Sequence, residues 1–521
     1  MNNHLKSILK ILLIVLSYTF IICIFSNSYD YDLGWHLRFG KEFWESLKFS
    51  FTDTYTWQHF GQFWTNHEWG GDLLFWPIYN DLSYFGLILL VALSPLAAFL
   101  IVLKIFQPRW TIAGLILIFV FLWTMPHILI LRLAMLTPLF LAILWYFLEK
   151  FPKQNNYFFW PLVLWFWSIL HGSWILGFIV IGIYSFGNIL NLVAKKYCPR
   201  FHNPKLWSIK DIRNAIVWTL ISAGVICINP YGWHIWQEVI NYFSLSFYKL
   251  HILEWVPSYV YPIYWKPLFI MGAGIPLAVW GFVKKRVTLP QILLFAALWL
   301  AAWQYKRQAI LFLLVCLSLF SGCWEIVKSR LLNRFTIKVV YFFPIIAVFL
   351  LIVGYLIRID WTKDIWNNQS LLSANTMPVE AVEFLKERTV GHTTFVFNEF
   401  SWGGYMNWTW PEGLVFFDGR GAATWMYDKK TTMTEKYFNI KYEAGGFEFL
   451  EASPAEYIIL SKDVIAYPPP DKLNRLFFGQ KDLDKILKPA SPQLQQMLDR
   501  SQSWQNIYED EVCNVWQRFS R

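Results

Sequence analysis

The feature that most constrains this chain is a succession of long apolar runs. A helix that crosses a bilayer needs about 20 mostly apolar residues. Eleven stretches approach that: 8–26, 84–104, 111–127, 131–148, 157–170, 173–194, 214–229, 267–283, 289–304, 308–325 and 339–357. In lipid every backbone N–H and C=O must be satisfied internally, so these runs predict a polytopic α-helical membrane protein. Only 15% of the 521 residues are charged, against about 25% in a soluble chain. The 31 Trp and 46 Phe suit membrane interfaces and helix packing. The junctions Met125-Pro126-His127 and His171-Gly172 read as tight external hairpins or broken helices.

The net charge of +10 does not point to nucleic acid, because the basic residues fall between the apolar runs. The clusters are Lys6 and Lys10, Lys104 and Arg109, Lys150 and Lys153, Lys195 to Arg213, Lys284-Lys285-Arg286, and Lys328 to Lys338. If eleven spans alternate, all of these lie on one side, which the positive-inside rule makes cytoplasmic. The expectation is then a multi-pass protein of the cytoplasmic (inner) membrane with a cytoplasmic N-terminus. The loop 27–72, residues 230–266, the turn at Tyr305-Lys306-Arg307 and everything after 357 lie outside. Two domains follow: 1–357, a transmembrane domain that includes the first external loop, and 358–521, an extracytoplasmic domain. No small-x-small cleavage site follows the run Ile8 to Phe25, so it reads as an uncleaved anchor. The six Cys show no C-x-x-C and no zinc spacing, and only Cys513 lies in the tail placed outside, which predicts no disulfide framework.

The tail is polar and lacks long apolar runs. Met377 to Arg388 reads as an amphipathic helix with Pro378 in its first turn. Thr394 to Phe397, Leu414 to Phe417 and Glu456 to Leu460 read as strands, Ser401 to Tyr405 as the start of a short helix, and Trp504 to Trp516 as a hairpin. Strands alternating with helices imply a small α/β fold. Asp418-Gly419-Arg420 follows a strand, where such folds expose functional loops; an ion pair or a turn explains it equally well.

The first external loop carries the densest chemistry. It holds Asp30, Asp32, Glu42, Glu45, Asp53, Glu68 and Asp72 against Arg38, Lys41 and Lys48. Trp35, Leu37, Phe39, Phe43, Trp44 and Leu47 recur at helical spacing, which predicts an amphipathic helix on the membrane interface. Asp30 and Asp32 are suited to hold Mg²⁺ or Mn²⁺ that also contacts substrate phosphate, or to supply a general base. The plainer reading is a solvated loop with Asp32 at a helix N-terminus. His36 and Arg38 follow the motif directly as candidate substrate contacts, while His67 and Glu68 are candidates to orient an acceptor or a metal, Glu68 as a catalytic residue. Asn66-His67-Glu68-Trp69 lacks the second His of H-E-x-x-H, which excludes a zinc protease; Asn66 is equally placed to cap a helix over 67–79.

Arg132 and Arg307 border apolar runs, where a cation is costly unless paired. A lipid-borne phosphate would be such a partner, and snorkelling to the interface is the alternative. His127 and His171 read as packed histidines. Asn229-Pro230-Tyr231-Gly232 reads as a helix stop, with Tyr231 also a candidate to line a lipid or sugar cleft.

Taken together, D-x-D-L-G-W-H-L-R at 30–38, N-H-E-W at 66–69, His171-Gly172, N-P-Y-G, Lys306-Arg307, and Asn398 to Tyr405 followed by Phe417-Asp418-Gly419-Arg420 resemble the GT-C glycosyltransferases, and within them an uncharacterised bacterial branch. That superfamily includes protein O-mannosyltransferases, the lipid A aminoarabinose transferase and the catalytic subunit of oligosaccharyltransferase. The resemblance implies transfer of a sugar from a polyprenyl-phosphate-linked donor to an extracytoplasmic acceptor, whether glycan, lipid or protein, in the cell envelope. It implies that Asp30 or Asp32 is base or metal ligand and that Arg307 holds the donor phosphate. The W-W-D-Y-G signature of oligosaccharyltransferase is not present: Ser401 to Tyr405 occupies a similar place without its acid, which counts against asparagine glycosylation. A transporter or flippase of lipid-linked material would want charges within spans and paired broken helices, of which the sequence has few. A non-catalytic membrane assembly protein is the third reading.

Overall fold

The structure is a computed structural model that describes residues 30–106, 131–154, 156–245, 265–316, 377–443, 445–462 and 493–519, with a few single positions between 247 and 258 and residue 319. The expected spans over 8–26, 111–127 and 339–357 lie outside the described residues, as do the junction at Met125-Pro126-His127 and Cys23.

In chain order the helices are α1 (Leu33–Ser46), α2 (Trp69–Phe106), α3 (Thr137–Gln154), α4 (Phe159–Leu170), α5 (Ile175–Tyr197), α6 (Ile209–Ile226), α7 (His234–Ser244), α8 (Trp265–Val283) and α9 (Leu289–Gln304). The tail adds α10 (Val379–Arg388), β1 (Thr394–Asn398), α11 (Gly403–Thr409), β2 (Gly413–Val415), α12 (Met433–Tyr442), α13 (Gly446–Ala452), β3 (Tyr457–Ser461), α14 (Gln493–Asp499), β4 (Trp504–Glu509) and β5 (Cys513–Arg518). Two compact units result. One comprises 1–28, 85–232 and 256–363; the other comprises 29–84, 233–255 and 364–521.

The first unit is helical. Among the described residues three helical stretches are long and apolar enough to cross a membrane: Trp69–Val102, of which this unit holds the part from Phe85 onward, Leu133–Lys150 and Gly172–Tyr197. Asn156–Leu170, Leu268–Val283 and Leu289–Gln304 are shorter apolar helices. The outward faces carry Phe166, Ile179, Phe186, Leu220, Phe269 and Leu300 exposed. Such a surface belongs in lipid, since in water an apolar patch of this extent drives association. Polar groups turn inward instead. Glu149 of α3 accepts from the Tyr184 hydroxyl at 2.6 Å, from Gln291 Nε2 at 2.9 Å and from Trp145 Nε1 at 3.3 Å, which ties α3, α5 and α9 together. Gly187 lets α5 close directly onto Pro290, because a Cβ there would stand 2.7 Å from the proline Cα. The capping box Ser208/Asp211 starts α6.

The second unit is built on a five-stranded sheet of order β2-β1-β3-β5-β4. β1 pairs parallel with β2 (Phe395 opposite Leu414) and with β3 (Phe397 opposite Ile458); β5 is antiparallel to β3 and β4. Side chains alternate between two cores. Val396, Val415 and Ile459 face α10 and α11, while Phe397, Phe416 and Ile458 face α12, α13 and α14. Both faces are covered, so these strands read as continuous apolar runs rather than as an alternation. The strands and hairpin expected from the sequence are present within one or two residues of the predicted bounds.

The first loop belongs to this same unit for reasons of hydrogen bonding and shape. Trp57 N–H donates to Val415 O at 3.0 Å and Val415 N–H to Tyr55 O at 3.2 Å, so residues 55–57 cover the open edge of β2. The helix expected on the membrane interface forms as α1, but its apolar residues Leu33, Trp35, Leu37 and Phe39 are buried in protein. The reason is a pair of glycines: a Cβ at Gly34 would overlap Gly404 O, and one at Gly40 would overlap Asp72 O. Backbone therefore meets backbone at both contacts. Gly403-Gly404, read from sequence only as part of a helix start, is the socket for the acidic loop.

Candidate active site at the carboxyl ends of the parallel strands

In open α/β sheets, ligands bind outside the carboxyl ends of the strands where the strand order reverses. Here that point is the end of β1, flanked by β2 and β3. Asn398 and Glu399 stand there, with Asp418-Gly419-Arg420 beyond β2 and Ser461 closing β3. The tripeptide Asp30-Tyr31-Asp32 lies across these ends. A Cβ on Gly404 would overlap Tyr31 O, and a Cβ on Gly419 would overlap the Asp32 carboxylate. Asp30 and Glu399 both act on Tyr31: burial first, then these two carboxylates, raise its phenol above the ordinary value.

Asp30 is 5% exposed, and its Oδ1 accepts from the Asp32 N–H at 3.2 Å. Asp32 holds the N-cap position of α1 yet makes no capping hydrogen bond with its side chain. Its half-exposed carboxylate is turned to Gly419 instead. The position agrees with a helix start, while the side chain does something a cap would not.

The N-H-E-W segment forms a second carboxylate group. Asn66 Oδ1 accepts from Glu68 N–H at 3.0 Å, which begins the approach to α2, and its Nδ2 donates to Asp72 Oδ2 at 2.6 Å. His36 Nδ1 is 2.5 Å from Asp72 Oδ1, and His36 Nε2 is 3.4 Å from Glu68 Oε2. His67 Nε2 lies 3.6 Å from Glu68 Oε1, and burial pushes its imidazole down to about 4. It is neutral at pH 7.

Arg38 is engaged by protein: its Nε donates to Glu42 Oε1 at 2.8 Å and its Nη1 to Asn407 O at 3.1 Å, with the guanidinium 4.0 Å from the Tyr55 ring centre. The turn Asp418-Gly419-Arg420 makes the ion pair that the sequence left open. Arg420 Nη2 is 2.7 Å from Asp418 Oδ2 and 2.8 Å from Asp53 Oδ1, and the group sits among Tyr55, Trp64 and Trp425. Burial disfavours this cation, but Asp418 and then Asp53 outweigh it and hold the guanidinium above its usual range. Across the strand ends, Lys441 Nζ lies 2.6 Å from both oxygens of Glu399, which also accepts from the Tyr437 hydroxyl at 2.9 Å.

Arg132, Arg307 and Tyr231 belong to the helical unit. Arg132 precedes a 3-10 turn at Leu133–Leu136, and Arg307 lies within another at Lys306–Gln308; both side chains are half-buried. Tyr231 is buried and its N–H donates to Asn229 Oδ1 at 2.7 Å, while Gly232 takes a φ of +56°, so N-P-Y-G is built as a turn. His171 is likewise local: its Nδ1 accepts from Ser173 N–H at 3.0 Å.

Asp53, Asp72, Glu399, Asn407 and Lys441 were not singled out from sequence. Asp72 alone carried a local signal, since it lies one helical turn after Glu68. Among the described residues, no group of three or more His, Cys, Asp and Glu side chains has the geometry to hold a metal ion.

The fold has a known counterpart. The chain aligns over 99% of its length, and 98% of the other's, with the crystal structure of ArnT from Cupriavidus metallidurans bound to undecaprenyl phosphate, at 11% identity and a TM-score of 0.52. Arabinofuranosyltransferase AftD from Mycobacteria aligns with 100% of this chain and 40% of its own, at 13% identity and a TM-score of 0.46. At such identity the likeness to ArnT is one of fold. No protein-family model matches the chain, and no curated protein matches it.

Proposed function

From the GT-C fold shared with ArnT, we propose that this membrane protein is a glycosyltransferase that moves a sugar from a polyprenyl-phosphate-linked donor to an extracytoplasmic acceptor. The observation that carries the reading is the placement of the D-x-D motif over the carboxyl ends of the parallel strands, with the Asp32 carboxylate against Gly419. The ArnT structure binds undecaprenyl phosphate; for this chain the same class of lipid is the donor's carrier. Topology follows from charge: N-terminus and basic loops cytoplasmic, first loop and tail outside the inner membrane, and eleven spans in all.

In the reaction the acceptor oxygen bonds to the sugar's anomeric carbon as the bond from that carbon to phosphate oxygen breaks. The electron pair leaves with polyprenyl phosphate. Asp32, the more exposed of the two aspartates, takes the acceptor proton, while Asp30 supports its backbone turn. Glu68 orients the acceptor. The resemblance assigns the donor phosphate to Arg307, with Arg132 as a second candidate, since a forked guanidinium suits phosphate oxygens. In the alternative in which a divalent cation takes part, Asp30 and Asp32 would hold it in place of supplying the base, with phosphate oxygens and water completing an ordinary Mg²⁺ set.

The test uses purified protein and its Asp30→Asn, Asp32→Asn and Arg307→Ala variants with a panel of polyprenyl-phosphate sugars, following labelled sugar. Turnover that a folded Asp32→Asn variant loses supports the reading. Donor binding without turnover in the wild type favours the transporter, and neither binding nor turnover favours the assembly protein.

A further inference from the structure

A second buried charged cluster, beside the Arg420 ion pairs, has one member that keeps some exposure. The side chains of Asp72 and His36 are 0% and 1% exposed, while Glu68 keeps 10%. Burying a carboxylate as fully as Asp72 is costly without compensation. Its two oxygens are taken by His36 Nδ1 at 2.5 Å and Asn66 Nδ2 at 2.6 Å. The imidazole is then fixed in rotation: Trp35 lies against it with ring centres 3.6 Å apart, and Phe75 meets it edge-on at 6.1 Å. Held this way, its second nitrogen faces Glu68 Oε2 at 3.4 Å. Asn66 links the two ends, since its oxygen receives the Glu68 N–H and its amide the Asp72 carboxylate. Three segments thus converge on one side chain that still reaches solvent.

We infer that His36 and Asp72 are positioning residues for Glu68: Asp72 sets the ring's orientation, and His36, with a proton on each nitrogen between the two carboxylates, turns its Nε2–H to the Glu68 carboxylate and fixes it at the rim of the site. This rests on the proposed transfer reaction, in which Glu68 orients the acceptor. His36 then acts from within the protein, through Glu68, and contacts no substrate.

A double-mutant cycle on the full-length protein tests this, with kcat and donor KM measured for Asp72→Asn, Glu68→Gln and both together, on whichever polyprenyl-phosphate sugar the wild type uses. Asp72→Asn lowers kcat by on the order of tenfold to a hundredfold with donor KM within about twofold, as misplacement of an orienting group should. Adding it to Glu68→Gln costs nothing further, because the residues act as one unit. Losses that multiply, or a loss confined to KM, overturn the inference. If wild type turns over no donor, the proposed reaction fails, and the same cycle is read in thermal midpoints with and without His36→Phe. Coupling between Asp72 and Glu68 that disappears with the imidazole upholds the positioning network; shifts that simply add overturn it.

Discussion

Asp32 lies so close to Gly419 that any side-chain carbon on the glycine would overlap its carboxylate. The acidic motif of the first loop and the turn after β2 therefore form one surface, and each can be altered without touching the other's backbone.

Gly419→Ala tests that contact. Gly419 does not take a left-handed φ, so the added methyl acts by displacement and not by backbone strain. The expected result is a folded protein whose donor turnover falls about tenfold or more, since a misplaced reacting group is costly well beyond its packing energy. Turnover within twofold of wild type would show that Asp32 need not stand there.

Arg420→Met leaves Asp53 and Asp418 buried without their cation. Breaking a buried pair from one side costs about 3–5 kcal/mol, so a large fall in thermal midpoint is expected. Adding Asp53→Asn to Arg420→Met recovers part of the loss, because one uncompensated charge is removed. A surface ion pair would show neither effect.

Gly404→Ala drives a methyl into Tyr31 O at the contact between α1 and α11. Overpacking of this kind costs about 1–3 kcal/mol. Denaturant or thermal unfolding should report it, and limited proteolysis should cut the first loop sooner than in wild type.

Stability should depend on pH through His67, whose imidazole is held down to about 4 by burial. The folded state then binds fewer protons than the unfolded chain between about 4 and the ordinary 6.5. Its contribution is complete above pH 6.5 and is lost as pH falls toward 4, in all about 3 kcal/mol. Glu238, which burial raises to about 7, has the opposite sign and loses stability as pH rises through that range. The difference between wild type and His67→Gln isolates the histidine: the variant should lose less stability between pH 7 and pH 5. Parallel curves would contradict its burial as a neutral ring.

Topology is checked by thiol labelling. Cys198 is exposed and lies within the basic stretch Lys195 to Arg213. A membrane-impermeant maleimide should miss it in intact cells and reach it after permeabilisation, while a Lys48→Cys variant, at an exposed position of the first loop just past α1, labels from outside. The reverse pattern would invert the assigned orientation.

What local order dictates was readable in advance. Apolar runs of spanning length made a membrane bundle unavoidable, and Thr394 to Phe397, Leu414 to Phe417 and Glu456 to Leu460 announced strands because branched and aromatic residues fit a covered sheet. Pro378 marked the start of a helix, and Asn66 marked the approach to another. These signals arise between near neighbours along the chain. The site does not. Asp53 looks like an ordinary loop acid until the chain path brings Arg420 to it, and Glu399 gains its meaning only from Lys441 at 2.6 Å. The amphipathic pattern of α1 specified a buried face but not what would bury it; glycines at 34 and 404 chose protein over lipid by letting two backbones touch. A charge's partner, and a helix face's neighbour, are selected by long-range packing, which only the tertiary structure decides.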